Sequence, residues 1–375
     1  MAVSARPTLL AAAAIEAGSL FAHAVNTVKM AEGFARNGLN VVFVCLEPAG
    51  GPVSPERLNA LYGLNAPLDW VMLPANADGT PRGDGMGFAV PALELARARE
   101  ARIVYARSYV LPALTAREGI PTLVEAHTDP SNARPDFADL LAATHLPGLR
   151  RLVTIAPVLA RGYAARGAAA DRIVVLPDAV DERLFARPAV PPPSPLGPGP
   201  NAVYAGHLYD YKGIPAILEA VALRPGIRFH LVGGWPQDVE RTRARVEAAG
   251  LTNITLHGLR AHAEIPPFLW GADVALLPPS ATHPSAAWTS PMKLGEYMMA
   301  RVPVVATGIP ALRHWLSGRE AVFCEPDDGA ALARAIDEAI APGAARDGRV
   351  AAAHRLAERW TFTRRAAMLL DACAA

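Results

Sequence analysis

Four segments combine residue types that could hold a phosphorylated ligand. The first is Thr289-Ser290-Pro291-Met292-Lys293-Leu294-Gly295-Glu296-Tyr297. Ser290 followed by Pro291 reads as a helix start, because Ser caps backbone N–H groups and Pro fits the first helical position. Lys293 then falls in the first turn, where the helix dipole disfavours a cation. A phosphate reverses that penalty, since N–H groups, dipole and ammonium converge on it. Glu296 lies a turn later on about the same face and could accept hydrogen bonds from ribose hydroxyls. An ordinary surface pair between Lys293 and Glu296 fits the same spacing equally well.

The second segment is Tyr204-Ala205-Gly206-His207-Leu208-Tyr209-Asp210-Tyr211-Lys212-Gly213. Its glycines let backbone approach a ligand, and Lys212 could reach a diphosphate. A Gly-rich turn with a solvated lysine explains the same residues. The third is Glu125-Ala126-His127-Thr128-Asp129, whose lone His127 is more often structural than catalytic. The fourth is the Gly18-Ser19 turn with His23 beyond it, for which a plain tight turn is the simpler reading.

All four lie where a strand gives way to a helix. Thr8 to Ile15 reads as a strand, followed by a helical pattern through Phe21, Val25, Val28, Met30, Ala31 and Phe34. Asn40 to Leu46 is a nearly continuous apolar run, as expected of a parallel strand buried on both faces. Short strands recur at Arg102–Tyr105, Pro121–Ala126, Leu152–Ile155 and Ile173–Leu176, while Gly50 to Met86 reads mostly as loops. Arg187 to Pro200 is too rich in proline for a helix or a central strand. The alternation then resumes: strands at Ala202–Ala205, Arg228–Val232, Ile254–Leu256, Val274–Leu277, Val304–Ala306 and Ala321–Cys324, with helices between. The tail Ala351–Cys373 reads as helical, with Trp360 near its middle. The sequence therefore predicts an α/β protein of two Rossmann-like domains, 1–187 and 201–357, with parallel sheets facing across a cleft. A Pro-rich linker occupies 188–200, and 358–375 forms a C-terminal helix.

Composition narrows the function. A chain of 375 residues exceeds one ordinary core. Hydrophobic residues at 51% and charged residues at 19% are globular, and a net charge of +1 gives no reason to expect nucleic acid as a partner. The three cysteines, Cys45, Cys324 and Cys373, are far apart and suit buried thiols in a reducing compartment. The apolar run Leu9–Ala14 is broken by Glu16 and reads as a strand rather than a signal peptide. A cytoplasmic location is expected. The heavy use of Ala, Arg and Pro is a bacterial-like coding bias without functional content.

Taken together, these segments resemble the GT-B-fold glycosyltransferases, specifically glycosyltransferase family 4, over nearly the whole chain. Ser290 to Thr307 resembles the family's donor-site stretch, and Gly206 to Gly213 its "G-x-L-x-x-x-K-G". Val232-Gly233-Gly234, Leu256-His257-Gly258, Gly271 to Pro278, and Leu176 to Phe185 support the likeness. The resemblance implies a retaining, metal-independent transferase with no cofactor beyond its nucleoside-diphosphate-sugar co-substrate. It implies that Glu296 binds the donor ribose, and that Lys212 and the backbone of Pro291, Met292 and Lys293 hold the diphosphate. Gly206, His207, Gly233 and Ser290 would complete that donor site. Gly258 would line the base pocket, His127 would contact the donor sugar, and Gly18 would admit the sugar phosphate or the acceptor. His127, Lys212 and Glu296 would thus carry the catalysis. The acceptor would be a glycan, a lipid-linked glycan or a small molecule. For lipid acceptors the first domain would touch the inner face of a membrane, with Arg97, Arg99 and Arg102 as contributors; a solvated helix face also explains these arginines.

Two positions depart from the family pattern: Trp288 stands where many members carry Glu, and His207 where many carry Arg. They motivate an alternative, a non-catalytic nucleotide-sugar-binding subunit. Another GT-B enzyme, such as a nucleotide-sugar epimerase or a phosphorylase, is a second. Neither half carries the G-x-G-x-x-G fingerprint of a dehydrogenase after its first strand. No metal site is read, since there is no Asp-x-Asp motif.

Overall fold

The computed structural model describes residues 6–75, 82–130 and 135–374. The chain divides into two compact units, Met1–Pro177 with Phe362–Ala375, and Asp178–Thr361.

The first unit is built on seven strands: β1 (Thr8–Glu16), β2 (Asn40–Leu46), β3 (Asp69–Leu73), β4 (Ile103–Ala106), β5 (Thr122–Ala126), β6 (Leu149–Thr154) and β7 (Ile173–Val175). They form one parallel sheet in the order β3-β2-β1-β4-β5-β6-β7. Leu10, Ala12, Val42, Val44, Val104 and Ala106 are fully buried on one face of this sheet. The second unit carries β8 (Asn201–Ala205), β9 (Arg228–Val232), β10 (Ile254–Gly258), β11 (Val274–Leu277), β12 (Val304–Thr307) and β13 (Val322–Cys324). Their order is β10-β9-β8-β11-β12-β13, again parallel throughout. In each sheet the winding reverses after its first strand, between β1 and β4 and between β8 and β11. Open parallel sheets bind ligands at such a switch point, beyond the C-terminal strand ends.

Three features differ from the sequence reading. The segment read as loops, Gly50 to Met86, contains the helix Pro55–Tyr62 and strand β3; residues 76–81 lie outside the described residues. Ser54 caps that helix by accepting from the Arg57 N–H at 3.3 Å, and left-handed Gly63 ends it. Its Tyr62 stacks on Trp70, which also packs edge-on against Phe43.

The Pro-rich stretch 188–200 belongs to the second unit, and the division falls at Pro177. The stretch is tied down: Leu196 is buried in the second core, and Asn201 Nδ2 donates to the carbonyls of Gly197 and Gly199 at 3.2 and 2.8 Å. The tail is not one helix. The helix Ala344–Ala357 stays with the second unit, and the chain is extended at Thr361, which bridges to Val180. The helix Phe362–Ala374 belongs to the first unit.

All three cysteines are free thiols, and burial pushes Cys45 and Cys324 up to about 12. No helix among the described residues is long and apolar enough to cross a membrane. Arg97 pairs with Glu118 and Arg99 with Asp69, while Arg102 is exposed.

Candidate functional site

In the second unit, the glycines singled out from sequence line the C-terminal edge of the sheet. Gly206 follows β8 and its N–H donates to the Val232 carbonyl at 2.8 Å. Gly233 follows β9 and donates to the Gly258 carbonyl at the same distance. Three neighbouring strands therefore end in backbone without side chains. At Gly206 this matters most. Its φ is +144°, and a Cβ there would lie 2.3 Å from the Lys293 Nζ. The lysine fits because this residue is glycine.

Lys293 enters from the second position of the helix Met292–Met299. Its ammonium sits 3.9 Å from the centre of the Tyr204 ring, a cation–π contact. Tyr204 is held in turn, its hydroxyl donating to the His207 carbonyl at 2.6 Å. Lys212 lies in the 3₁₀ turn Asp210–Lys212, 5.0 Å from the Tyr211 ring centre. Burial, then the charge of Lys212, holds Lys293 well below the usual lysine range. Burial also lowers Lys212, and burial with the two lysines lowers His207. Neither lysine makes an ion pair among the described residues, and both lie close enough to the His207 imidazole to lower it. This is an array that a bound anion completes.

A stack of rings steadies the loop that carries Lys212. Trp235 stacks on His207, His207 on Tyr209, Tyr209 on Tyr211, and Tyr211 on His283, with centroid distances of 5.6, 5.2, 5.5 and 4.1 Å. These rings come from the ends of β9, β8 and β11. Trp288 lies half-buried just after the turn Pro284–Ala287.

Two local expectations are corrected here. Ser290 does not cap the helix. The helix starts at Met292 with Pro291 as its N-cap in an extended conformation, and no side chain caps it. Ser290 is buried and its Oγ instead accepts the Asp178 N–H at 2.8 Å. The surface pair between Lys293 and Glu296 does not form either. Glu296 is buried, and its Oε1 accepts from His262 Nε2 at 2.8 Å. Tyr297, next along the helix, fixes this end to the sheet by accepting the Ala205 N–H at 2.9 Å.

In the first unit, Gly18 follows β1 with φ +88°, and the Ser19 carbonyl accepts from the Tyr62 hydroxyl at 2.8 Å. His127 follows β5 and has both ring nitrogens engaged. Nε2 lies 2.6 Å from Glu125 Oε1, and Nδ1 lies 3.0 Å from Arg107 NH2. Arg107, at the end of β4, also reaches the His23 carbonyl and Asn26 Oδ1 at 3.4 Å. Partial burial, then Arg107 and His127, lowers His23. Glu125 is fully buried. Burial alone would raise its carboxyl, but Arg365 and His127 hold it well below the usual carboxylate range.

The residues missed from sequence are the partners: His262 for Glu296, and Arg107 and Arg365 for the His127 corner. Arg365 is 240 positions from Glu125, and nothing in the sequence signals that pairing. Tyr204, as the platform for Lys293, is likewise legible only once the two turns are in space.

Two doubly wound parallel sheets of this order, with a cationic turn at the switch point of the second, define the class of GT-B glycosyltransferases. The family model for a glycosyl transferase 4-like domain matches residues 23–179, and that for glycosyl transferases group 1 matches residues 199–341. The chain belongs to the family 4 glycosyltransferases, glycosyl transferases group 1. No curated protein matches it by sequence. Among solved structures it is similar to Anabaena HepE in complex with UDP-glucose, at 15% identity and a TM-score of 0.71, over 97% of this chain and 99% of that one. It is also similar to sucrose-phosphate synthase from Thermosynechococcus elongatus, at 15% identity and a TM-score of 0.74 over 98% of each chain. A Rickettsia africae glycosyltransferase gives 15% identity and a TM-score of 0.72, also over 98% of each.

Proposed function

We propose that this glycosyltransferase takes its sugar from a nucleoside diphosphate, retains the anomeric configuration and uses lysines where other transferases use a metal ion. The observation that carries the reading is the convergence of Lys212 and Lys293 at the switch point of the second sheet, without a carboxylate partner among the described residues. Charge develops on the leaving diphosphate as the glycosidic bond breaks. Two preorganised ammoniums in a half-buried site stabilise that charge without reorganisation. The first-turn N–H groups of Met292 and Lys293 add to them, because no side chain caps the helix start. Burial and the two lysines lower His207, and the charge of a phosphate offsets the effect of the lysines.

Glu296 accepts hydrogen bonds from the ribose hydroxyls through the oxygen that His262 leaves open. Gly206, Gly233 and Gly258 leave room for diphosphate and base. In the first unit, His127 borders the transferred sugar and Gly18 the acceptor, which is a glycan, a lipid-linked glycan or a small molecule. With Nδ1 and Nε2 both engaged, His127 bounds the sugar by the contact of its ring rather than by moving protons. The likeness to HepE, solved with UDP-glucose, makes uridine the first base to try.

The test is product analysis. The protein is incubated with UDP-, GDP-, ADP- and CDP-sugars in EDTA, with a mixed acceptor panel, and products are read by proton NMR. Release of one nucleoside diphosphate with a product of the donor's anomeric configuration is expected. An inverted product, or activity restored only by a divalent ion, would overturn the retaining or the metal-independent part. A donor that binds without hydrolysis or transfer to any acceptor would favour a non-catalytic binding subunit.

A further inference from the structure

The buried carboxylate behind His127 is held from the far end of the chain. Arg365, on the helix Phe362–Ala374, is 4% exposed. Its NH1 donates to Glu125 Oε2 at 2.9 Å and its NH2 to Oε1 at 2.8 Å, while Nε donates to the Pro177 carbonyl at 3.1 Å. The Tyr105 hydroxyl donates to the same carboxylate. The helix itself is set in register against the helix Ala22–Arg36. A Cβ on Gly33 would lie 2.6 Å from the Phe362 carbonyl oxygen, and Asn37 Nδ2 donates to the Thr363 carbonyl at 2.9 Å.

A carboxylate that receives a two-pronged guanidinium is ionised and only accepts hydrogen bonds. The hydrogen between Glu125 Oε1 and His127 therefore sits on Nε2, and Nδ1 carries a lone pair. Arg107, which can only donate, requires that same lone pair at 3.0 Å. The two ends of the network agree on one tautomer. A pair that served packing alone would do as well or better as two apolar side chains. This carboxylate has two further donors to serve, and the chain of bonds runs outward to the half-buried Arg107.

We infer that Arg365 is a positioning residue for His127: by holding Glu125 ionised and in place, it fixes the orientation of the imidazole and makes transfer depend on docking of the C-terminal helix. The step to transfer rests on the reading that His127 borders the transferred sugar; the step to the orientation does not.

The test uses the full ¹⁵N-labelled chain, with the His127 ring nitrogens assigned by their loss in His127→Gln. Two variants are compared with the parent: Arg365→Lys, which keeps the charge and loses the fork, and Glu125→Leu/Arg365→Leu, which removes the pair without stranding a buried charge. The parent should show one tautomer with hydrogen on Nε2. Arg107 still holds the lone pair on Nδ1 in both variants, so both should keep that tautomer but show a shifted His127 Nε2 resonance as its carboxylate partner is loosened or lost, a kcat lower by about ten- to a hundredfold, and a donor KM within about twofold of the parent. An unchanged His127 spectrum in the folded double variant, or a shifted Nε2 resonance with the parent's kcat, would overturn the inference. If the Nε2 resonance responds as expected but the parent transfers no sugar, the positioning role stands and the transferase reading falls.

Discussion

The two units share a sheet plan and treat charge at the strand ends in opposite ways. In the first, Arg365, Glu125, Tyr105, His127 and Arg107 form a closed run in which each group meets a partner of suitable hydrogen-bonding sense. In the second, Lys212 and Lys293 converge on each other and on His207, while the nearby Glu296 turns to His262. The closed array is completed when the chain folds, so it contributes to stability and orientation. The open array depresses the lysines in the empty protein and is relieved by an anion, so it contributes to binding. Removing a member of the first should cost folding, and removing a member of the second should cost affinity.

The largest effect is expected from Arg365→Met, which strands a buried carboxylate. Loss of one partner from a buried pair costs about 3–5 kcal/mol, read as a shift of the denaturant midpoint of the first unit. Affinity for the nucleoside diphosphate should remain. A midpoint within experimental error of the parent would mean that the array is not closed as described.

Next come Lys212→Met and Lys293→Met. Charge-assisted hydrogen bonds are worth about 1.5–3 kcal/mol, so each variant should bind the diphosphate roughly ten- to a hundredfold more weakly by calorimetry. The empty variants should melt no lower than the parent, because a repulsion has been removed. A variant that melts lower and binds normally would make these lysines structural.

Glu296→Ala should lose affinity on the same scale for a ribonucleotide. It should lose little for the matching 2′,3′-dideoxynucleotide, which has no hydroxyls to offer. Equal losses for both would remove the ribose from its role.

The smallest effect is a proton count. Binding of a diphosphate returns Lys293, Lys212 and His207 toward their ordinary values, so protons are taken up from solution. Calorimetry in two buffers of different ionisation heat should show that uptake, and affinity should fall as pH rises between the depressed and ordinary lysine values. In the same window the empty protein should gain stability with rising pH, since the unfolded chain binds more protons there than the folded one. No proton uptake would contradict the depressed lysines.

What could be read from sequence was local. Apolar runs such as Asn40–Leu46 and the turns at Gly206–Gly213 and Ser290–Glu296 put strands, helices and the cationic switch point where they are found. Composition misled where short signals were hidden in polar surroundings: Ser54-Pro55 and Gly63 bracket a helix within a stretch that reads as loop. Prolines at 188–200 read as a linker, yet Leu196 and the Asn201 amide fasten that segment to the second core. Ser290 has the right type for a cap but spends its hydroxyl on Asp178. Arg365, Arg107 and His262 were beyond reach because their roles depend on partners distant in sequence, and a single chain carries no record of which distant residues meet.

The proposed function requires that the second unit hold a nucleoside diphosphate through Lys212 and Lys293 without a metal. The most direct measurement is thermal unfolding of the purified protein, and of Lys212→Met/Lys293→Met, in EDTA against UDP-, GDP-, ADP- and CDP-sugars. At about 100 times its dissociation constant, one donor should stabilise the parent by about 2.7 kcal/mol and leave the double variant nearly unmoved. No shift with any donor, or an equal shift in both proteins, would contradict the claim.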